Sequence, residues 1–265
     1  MLAAVRTGSL TSVIQRKRIS HFPPDYMLRG LYKVLTDPRT RREWRFMVLR
    51  KFGKWLYPNY RFLWPQMVWW EDQEFNQFLK RFDEWGGANS DRRWTVHQLT
   101  QLAKTVPGDT AECGVLAGSS SYLICRAFPD RMHFMFDSFE GLSEPSAADG
   151  GYFEKTDLAC GLETVKENLK DFSNTSYHPG WIPDRFQDVK DRRFAFVHID
   201  VQLYQPTRDS FEFFYPRMNK GGILICDDYG FSTCPGAKRA IDEFLADKPE
   251  KIIWLPGGSA FLVKA

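Results

Sequence analysis

Apolar residues recur at helical spacing in the first third of the chain. In the segment DQEFNQFLKRFDEW they occupy positions i, i+3, i+4 and i+7, namely Phe75, Phe78, Leu79 and Phe82. This spacing predicts a helix with one buried face. A second helix is predicted directly after it, from an N-cap at Ser90 to an end near Pro107. The inner face of this second helix is predicted to carry Trp94, Leu99 and Leu102.

From residue 109 onward, short apolar segments alternate with longer helical ones. Strands are predicted at 109–113, 133–137, near Tyr177, 194–200 and 221–227, and helices from Ser119, over 160–172, through 211–218 and over 235–246. Such alternation predicts an α/β fold with a mostly parallel sheet covered on both faces. Two closing strands, IIWLP and SAFLVK, are joined only by Gly257 and Gly258. That link is too short for a crossover, so the two strands are predicted to form an antiparallel hairpin at the sheet edge.

The composition of the 265 residues is that of a globular protein, with 43% hydrophobic and 26% charged residues. It excludes collagen-like, coiled-coil and wholly disordered chains. No stretch approaches the ~18 apolar residues of a membrane span, and the first residues lack the apolar core of a secretory signal, so we expect a cytoplasmic protein. The 5 cysteines include no C-x-x-C pair and are expected to be reduced and mostly buried.

Positive charge and tryptophan are concentrated near the N-terminus. Residues 1–70 contain 14 Lys and Arg against 3 acidic residues, and seven of the 9 tryptophans precede residue 95. We therefore predict a basic, helical extension over residues 1–90 and an α/β domain over 91–265. The extension is interpreted as a lid, with a subunit-contact arm or a patch for membranes or nucleic acid as alternatives. It contains no RNA-binding motif, so we do not expect a nucleic acid partner.

The first predicted strand runs into a glycine turn. The turn reads ECGVLAGSSS, from Glu112 through Gly114 and Gly118 to the serines that begin a helix. Glycines let the backbone approach a ligand closely, and a helix N-terminus offers free amides to an anion. Asp137 ends the next strand, nineteen residues after Gly118, where a carboxylate can accept both hydroxyls of a ribose. Together these features indicate a nucleoside-type cofactor, although an ordinary strand-to-helix turn is an equal alternative.

Three carboxylates follow two later strands. Asp200 ends one predicted strand, and Asp227 with Asp228 ends the next. Like charges at adjacent strand ends repel one another unless a cation or protons intervene, and ligands that are all oxygen favour Mg²⁺. The alternative is that one of the carboxylates caps the following helix. His198, two residues before Asp200, is interpreted as a buried core histidine.

Four segments resemble the macrocin O-methyltransferase family of class I S-adenosylmethionine-dependent enzymes. They are GDTAECGVLAGSSS, FDSFEGL, VHIDVQLYQPTRDSFEFFYPRMNKGGILICDDYG and CPGAKRAIDEF, and the likeness runs from about Arg92 to the C-terminus. The resemblance implies a Rossmann-like, seven-stranded sheet with an antiparallel terminal strand. It also implies methylation of a sugar hydroxyl in a glycosylated natural product, a glycolipid or a polysaccharide, by a protein expected to be a homo-oligomer.

The resemblance also distributes roles among the residues of the site. S-adenosylmethionine is expected on a set drawn from the glycine turn and its neighbours: Glu112, Gly114, Gly118, Ser119, Ser120, Asp137, Ser138 and Trp181. Trp181 is a candidate for stacking on adenine, with ordinary packing as the alternative. Mg²⁺ is expected on Asp200, Asp227 and Asp228.

A bound divalent cation lowers the pKa of a hydroxyl, and Asp200 is the first candidate for the general base. In related catechol methyltransferases a lysine lies shortly after the matching aspartate, whereas Val201, Gln202 and Leu203 follow here. A phenolic acceptor is thus the second hypothesis. A non-catalytic, cofactor-binding module that docks on polyanions through the basic extension is the third.

Overall fold

A computed structural model describes residues 35–56, 69, 72–84 and 89–265. Two compact units divide the chain, Met1–Val68 and Trp69–Ala265. The division differs from the predicted boundary at residues 90 and 91. Trp69, Phe75 and Phe78 are buried in the core of the second unit, so the helix that contains the two phenylalanines belongs to that unit. The parts of the predicted extension at 1–34, 57–68, 70–71 and 85–88, with Trp64, Trp70 and Trp85, lie outside the described residues.

The first unit contains helix α1, Pro38–Leu56. Apolar side chains at spacing i, i+4, i+8 and i+11 are exposed along it by between 50% and 74%, namely Trp44, Val48, Phe52 and Trp55. The sequence of the helix contains seven Lys and Arg and one Glu. The described part of α1 is therefore a basic helix with an exposed apolar stripe.

The second unit is built on a seven-stranded sheet in the order β3-β2-β1-β4-β5-β7-β6. The strands are β1 (Asp109–Cys113), β2 (His133–Asp137), β3 (Thr175–Pro179), β4 (Phe194–Ile199), β5 (Met218–Cys226), β6 (Ile253–Trp254) and β7 (Ala260–Val263). Strands β1 to β5 pair in parallel, and β7 is antiparallel to both β5 and β6. The predicted fold class and the closing hairpin are confirmed.

Six α-helices among the described residues of the second unit cover the sheet. They are α2 (Gln73–Arg81), α3 (Ser90–Ala103), α4 (Ser119–Ala127), α5 (Leu162–Asn168), α6 (Tyr204–Phe214) and α7 (Pro235–Leu245). The side chain of Asp72 caps α2 by accepting a hydrogen bond from the Phe75 amide at 2.9 Å. None of the described helices has the length and apolarity needed to cross a bilayer.

The core lies on both faces of the sheet. Every residue of β4 is buried, as expected for a central parallel strand with helices on each side. One apolar cluster joins β4 to α6 and α7 through residues such as Phe211 and Ile241. A second cluster joins the opposite face to α2, α3 and α4 through residues such as Phe78 and Leu99. All five cysteines are free, and all but Cys160 are buried, as predicted.

Two predictions about α3 were wrong. Its N-cap is Asn89 and Ser90 is the first helical residue. Leu102 is 65% exposed, whereas Val96, Leu99 and Ala103 are buried. The face that packs on the sheet is thus rotated from the predicted one. Several predicted ends also shift, because α5 is shorter than 160–172 and β5 begins at Met218 rather than at 221.

Candidate active site

A cavity of about 750 Å³, including its open mouth, lies at the carboxyl ends of the parallel strands. It is next to the point where the strand order reverses between β1 and β4, which is where ligands bind in open α/β sheets. The residues predicted for the site that line it are Gly114, Ser119, Ser120, Asp137, Ser138, Trp181 and Asp200. Trp181 is 38% exposed, so its ring is accessible from the cavity.

The glycine turn between β1 and α4 packs directly on the end of β4. Gly114 has φ of 82°, and a Cβ atom there would lie 1.9 Å from the carbonyl oxygen of Asp200. No other residue fits this close approach. Gly118, with φ of 85°, is the N-cap of α4, and no described side chain caps that helix. The N-terminus of α4 therefore faces the cavity, because its first residues, Ser119 and Ser120, line the cavity wall.

Asp137, at the end of β2, holds the glycine turn. Its Oδ2 accepts hydrogen bonds from the amides of Val115 at 2.7 Å and Leu116 at 3.3 Å, and its Oδ1 accepts one from Phe139 at 2.7 Å. Burial raises the pKa of Asp137, and these amides act in the opposite direction. The hydroxyl of Ser138 donates to the carbonyl of Gly141 at 2.6 Å, which shapes the next turn.

Glu112 does not line the cavity. It is fully buried beneath the turn, where it accepts hydrogen bonds from Ser121 and from Nδ1 of His198, the latter at 2.8 Å, and lies 3.4 Å from His133. Although burial opposes ionisation, hydrogen bonds from the two histidines lower the pKa of Glu112 to about 2. Glu112 was predicted to bind the cofactor, but the structure buries it under the glycine turn and away from the cavity lining.

His198 is buried in the core, as interpreted from the sequence. Its Nε2 lies 3.2 Å from Oδ2 of Asp227, an ion-pair distance, yet it makes no hydrogen bond of acceptable geometry to any described residue. Burial disfavours the charged ring, but Asp227 and Glu112 raise the pKa of His198 to about 10. A protonated imidazole has no lone pair to offer a metal.

The carboxylates of Asp200 and Asp227 face each other across two arginines from α3. Arg92 places Nη2 3.1 Å from both oxygens of Asp200, and Nε 3.2 Å from Oδ2 of Asp227. Arg93 places Nη1 3.0 Å from the same oxygen of Asp227. Although burial opposes ionisation, Arg92, His198 and Arg93 hold the pKa of Asp227 well below its ordinary value.

Asp228 is held by Gln202. Its Oδ2 accepts a hydrogen bond from the backbone amide of Gln202 at 2.8 Å. Burial first, and then the charge of Asp200, raise the pKa of Asp228 to about 8. Ligand atoms of His198, Asp200 and Asp227 lie within 4.8 Å of one another, and Asp228 is outside that group. The structure thus brings two of the three predicted metal ligands together.

The alternative that one of these aspartates caps a helix is wrong for α6 and α7. The side chain of Asp149 accepts a hydrogen bond from the Tyr204 amide, the first of α6, at 2.6 Å. The N-cap of α7 is Cys234, which makes no side-chain cap. None of the three aspartates therefore caps either of these helices.

The sequence reasoning missed four polar residues of the site: Glu84, Arg92, Arg93 and Gln202. Glu84 pairs with Arg93 at 3.1 Å and accepts a hydrogen bond from Ser119 at 2.9 Å. Nε2 of Gln202 donates to Asp200 at 2.8 Å. One feature of the sequence could have identified Arg93. It precedes Val96 and Thr100, which are buried on the inner face of α3, by three and seven residues. A charged residue on the inner face of a helix indicates a buried partner.

The comparison with known proteins begins with a family match. A sequence model of the macrocin-O-methyltransferase (TylF) family matches residues 93–253. An 8-demethyl-8-(2,3-dimethoxy-alpha-L-rhamnosyl)-tetracenomycin-C 4'-O-methyltransferase of Streptomyces olivaceus is 34% identical over 154 residues, or 52% of this chain and 59% of that protein. Demethyldecarbamoylnovobiocin O-methyltransferase of Streptomyces niveus is 31% identical over 163 residues, or 55% of this chain and 61% of that protein. The chain thus spans about three fifths of the length of the relatives it matches.

A solved structure shares the fold. The structure of the O-methyltransferase NovP superposes with a TM-score of 0.58 at 26% sequence identity, over 68% of this chain and 84% of that one.

Proposed function

Because the chain belongs to the macrocin-O-methyltransferase family, we propose that it transfers a methyl group from S-adenosylmethionine to a hydroxyl of a sugar. The observation that carries the proposal is the cavity in which the glycine turn and Asp200 line one space. The Streptomyces olivaceus relative is named for O-methylation of a substrate that bears a rhamnosyl group. The acceptor proposed here is a sugar of a glycosylated natural product, a glycolipid or a polysaccharide.

The cofactor is proposed to lie on the glycine turn. Its methionine end fits over Gly114 to Ser120, where the start of α4 offers amides to a carboxylate. Oδ1 of Asp137 accepts only one amide among the described residues, which leaves a lone pair for a ribose hydroxyl. Trp181 is proposed to stack on the adenine, which its exposed ring on the cavity supports.

A divalent cation, Mg²⁺ or another hard ion, is proposed on Asp200, Asp227 and Asp228. Oxygen donors of this kind suit a hard cation. When bound, such an ion would act as a Lewis acid that lowers the pKa of a sugar hydroxyl. Ligand atoms of Asp200 and Asp227 already lie within 4.8 Å of one another, whereas Asp228 lies outside that group and accepts the amide of Gln202.

Asp200 is proposed to receive the proton of the acceptor. Methyl transfer forms a carbon–oxygen bond and breaks the carbon–sulfur bond of the sulfonium, so the hydroxyl proton must leave. Asp200 lines the cavity, and its side chain is 14% exposed. The described cavity wall contains no lysine beside Asp200, which supports an alcohol acceptor over a catechol. Holding acceptor and cofactor together in this cavity would supply much of the acceleration.

Methyl transfer from labelled S-adenosylmethionine to a panel of glycosides and nucleotide sugars tests the proposal. We expect transfer to a sugar hydroxyl in the presence of Mg²⁺, and at least ~100-fold less with Asp200→Asn, the scale of a lost general base. Asp247→Asn, on a side chain that is 78% exposed, is the matched control and should be fully active. Transfer to catechols but to no sugar would favour the phenolic alternative.

A further inference from the structure

Arg92 occupies the space between two carboxylates that are proposed to hold a divalent cation. Its Nη2 lies 3.1 Å from each oxygen of Asp200 and 3.1 Å from Oδ2 of Asp227. The Cζ atom of the guanidinium lies over the ring of Phe231, 5.0 Å from its centroid. A guanidinium is always charged at neutral pH, so it leaves the carboxylates by moving away from them and never by losing its proton.

The neighbouring Arg93 has a different set of partners. Its Nε lies 3.1 Å from Oε2 of Glu84, and its Nη1 lies 3.0 Å from Oδ2 of Asp227. Glu84 also accepts a hydrogen bond from the hydroxyl of Ser119, which follows the glycine turn, at 2.9 Å. The side chain of Arg93 is only 5% exposed. Arg93 is therefore anchored at both ends of its guanidinium and remains with Asp227 as a permanent counter-ion.

Arg92 is less enclosed. Its side chain is 11% exposed, and its Nη1 donates to Asn89, at the start of α3, at 3.1 Å, the one hydrogen bond of Arg92 among the described residues that does not go to an aspartate. The ring of Phe231 is a surface along which a guanidinium keeps a favourable contact while it shifts. Among the described residues, release of Arg92 breaks hydrogen bonds to Asn89 and to the two proposed metal ligands, whereas release of Arg93 would also separate Glu84 from its guanidinium partner.

We infer that Arg92 is an exchangeable internal counter-cation of Asp200 and Asp227. In the metal-free protein its guanidinium neutralises the pair, and a divalent cation that binds there displaces it toward Phe231. The inference rests on the metal site of the proposed function. It implies that the affinity of the site for a divalent cation is set partly by competition with a side chain of the same chain.

The competing interpretation is that Arg92 stays in place and orients the two carboxylates for the metal. The two interpretations predict opposite effects of removing the guanidinium. If Arg92 competes, its removal tightens cation binding. If it orients the aspartates, its removal leaves two repelling carboxylates and weakens binding or leaves it unchanged.

Titration of the full chain with Mn²⁺ alone, followed by calorimetry and by the electron paramagnetic resonance of the free ion, separates them. We expect Arg92→Met to bind Mn²⁺ at least ~10-fold more tightly than the wild type, since a positive charge at contact distance is removed. Arg192→Met is the matched control, because Arg192 also pairs with an aspartate, Asp109 at 3.4 Å, and stacks on a ring, that of Phe134. The control should bind Mn²⁺ as the wild type does.

A measurement on the wild type keeps the inference testable if Arg92→Met does not fold. The Nε–H resonance of Arg92, assigned by its loss in Arg92→Lys, should shift on saturation with diamagnetic Mg²⁺, whereas that of Arg93 should change little. Equal or weaker Mn²⁺ binding by Arg92→Met, no binding by either protein, or an unchanged Arg92 resonance overturns the inference. The glycoside assay tests the proposed methyl transfer separately, so a protein with no transferase activity and a tighter Arg92→Met site would refute the function alone.

Discussion

Asp137 accepts a hydrogen bond from the backbone amide of Val115 at 2.7 Å, across the gap between the ends of β2 and β1. The carboxylate that is proposed to bind the ribose is thus also the one that fixes the turn beneath the methionine end. Loss of this side chain is therefore expected to weaken the binding of both the ribose and the methionine end of the cofactor.

We therefore predict that Asp137→Ala weakens S-adenosylmethionine binding by about 2 kcal/mol, the scale for charge-assisted hydrogen bonds. Calorimetry on the purified variant measures this. The control is Glu140→Ala, which removes an exposed carboxylate three residues after Asp137. It should bind S-adenosylmethionine as the wild type does. Equal affinity of Asp137→Ala and the wild type would remove Asp137 from the site, and a preference for NAD would refute the cofactor assignment.

Chelation is predicted to separate cofactor binding from catalysis. Methyl transfer should stop with EDTA and return with Mg²⁺, because carboxylates alone do not activate an alcohol at neutral pH. Cofactor affinity should largely survive, since the residues of the glycine turn are distinct from the carboxylate pair. Full activity in EDTA, or an Asp228→Asn enzyme at the wild-type rate, would contradict the metal proposal.

The N-terminal unit is predicted to be needed for transfer and not for cofactor binding. Deletion of residues 1–68 leaves Trp69 and the whole second unit, so the product should fold and bind S-adenosylmethionine. Transfer to a sugar should be lost if the unit is a lid, the interpretation that the sequence favours. Retained transfer, combined with loss of salt-sensitive binding to anionic vesicles, would instead assign the exposed apolar stripe of α1 to a membrane surface.

Stability at acid pH is predicted to depend on Glu250, which does not line the cavity. Tyr215, Lys264 and the amide of Ala265 all donate hydrogen bonds to its carboxylate. Burial opposes ionisation, but Lys264 and Tyr215 lower the pKa of Glu250 to about 2. Because the folded pKa is below the unfolded value of about 4.3, the ionised group stabilises the fold above that value and loses its effect as the pH falls toward 2.

Glu250→Gln should accordingly cost about 2 kcal/mol of unfolding free energy at neutral pH, and the difference from the wild type should shrink below about pH 4. Urea unfolding of both proteins at several pH values measures it. Glu163→Gln, whose side chain is 84% exposed, is the control and should show no such trend. A difference that stays constant with pH would exclude ionisation of Glu250 as its cause.

Local patterns in the sequence determined most of the architecture. The alternation of apolar segments predicted the parallel strands, and Gly257 with Gly258 predicted the closing hairpin, because chain geometry over a few residues leaves little choice. The glycine turn was equally local. Only glycine fits at position 114, because the backbone there lies against the carbonyl of Asp200. The sequence nevertheless predicted a turn at Gly114 without that contact.

The tertiary structure decided which charges meet. Arg92 lies 108 residues from Asp200 and 135 from Asp227, so no local pattern relates them. The same holds for Glu112, whose burial under the turn depends on histidines from two other strands. Packing between elements likewise decides that Leu102 is exposed, because it fixes which face of α3 lies against the sheet. Spacing within an element gives its periodicity, but the partners of a buried charge follow only from packing between elements.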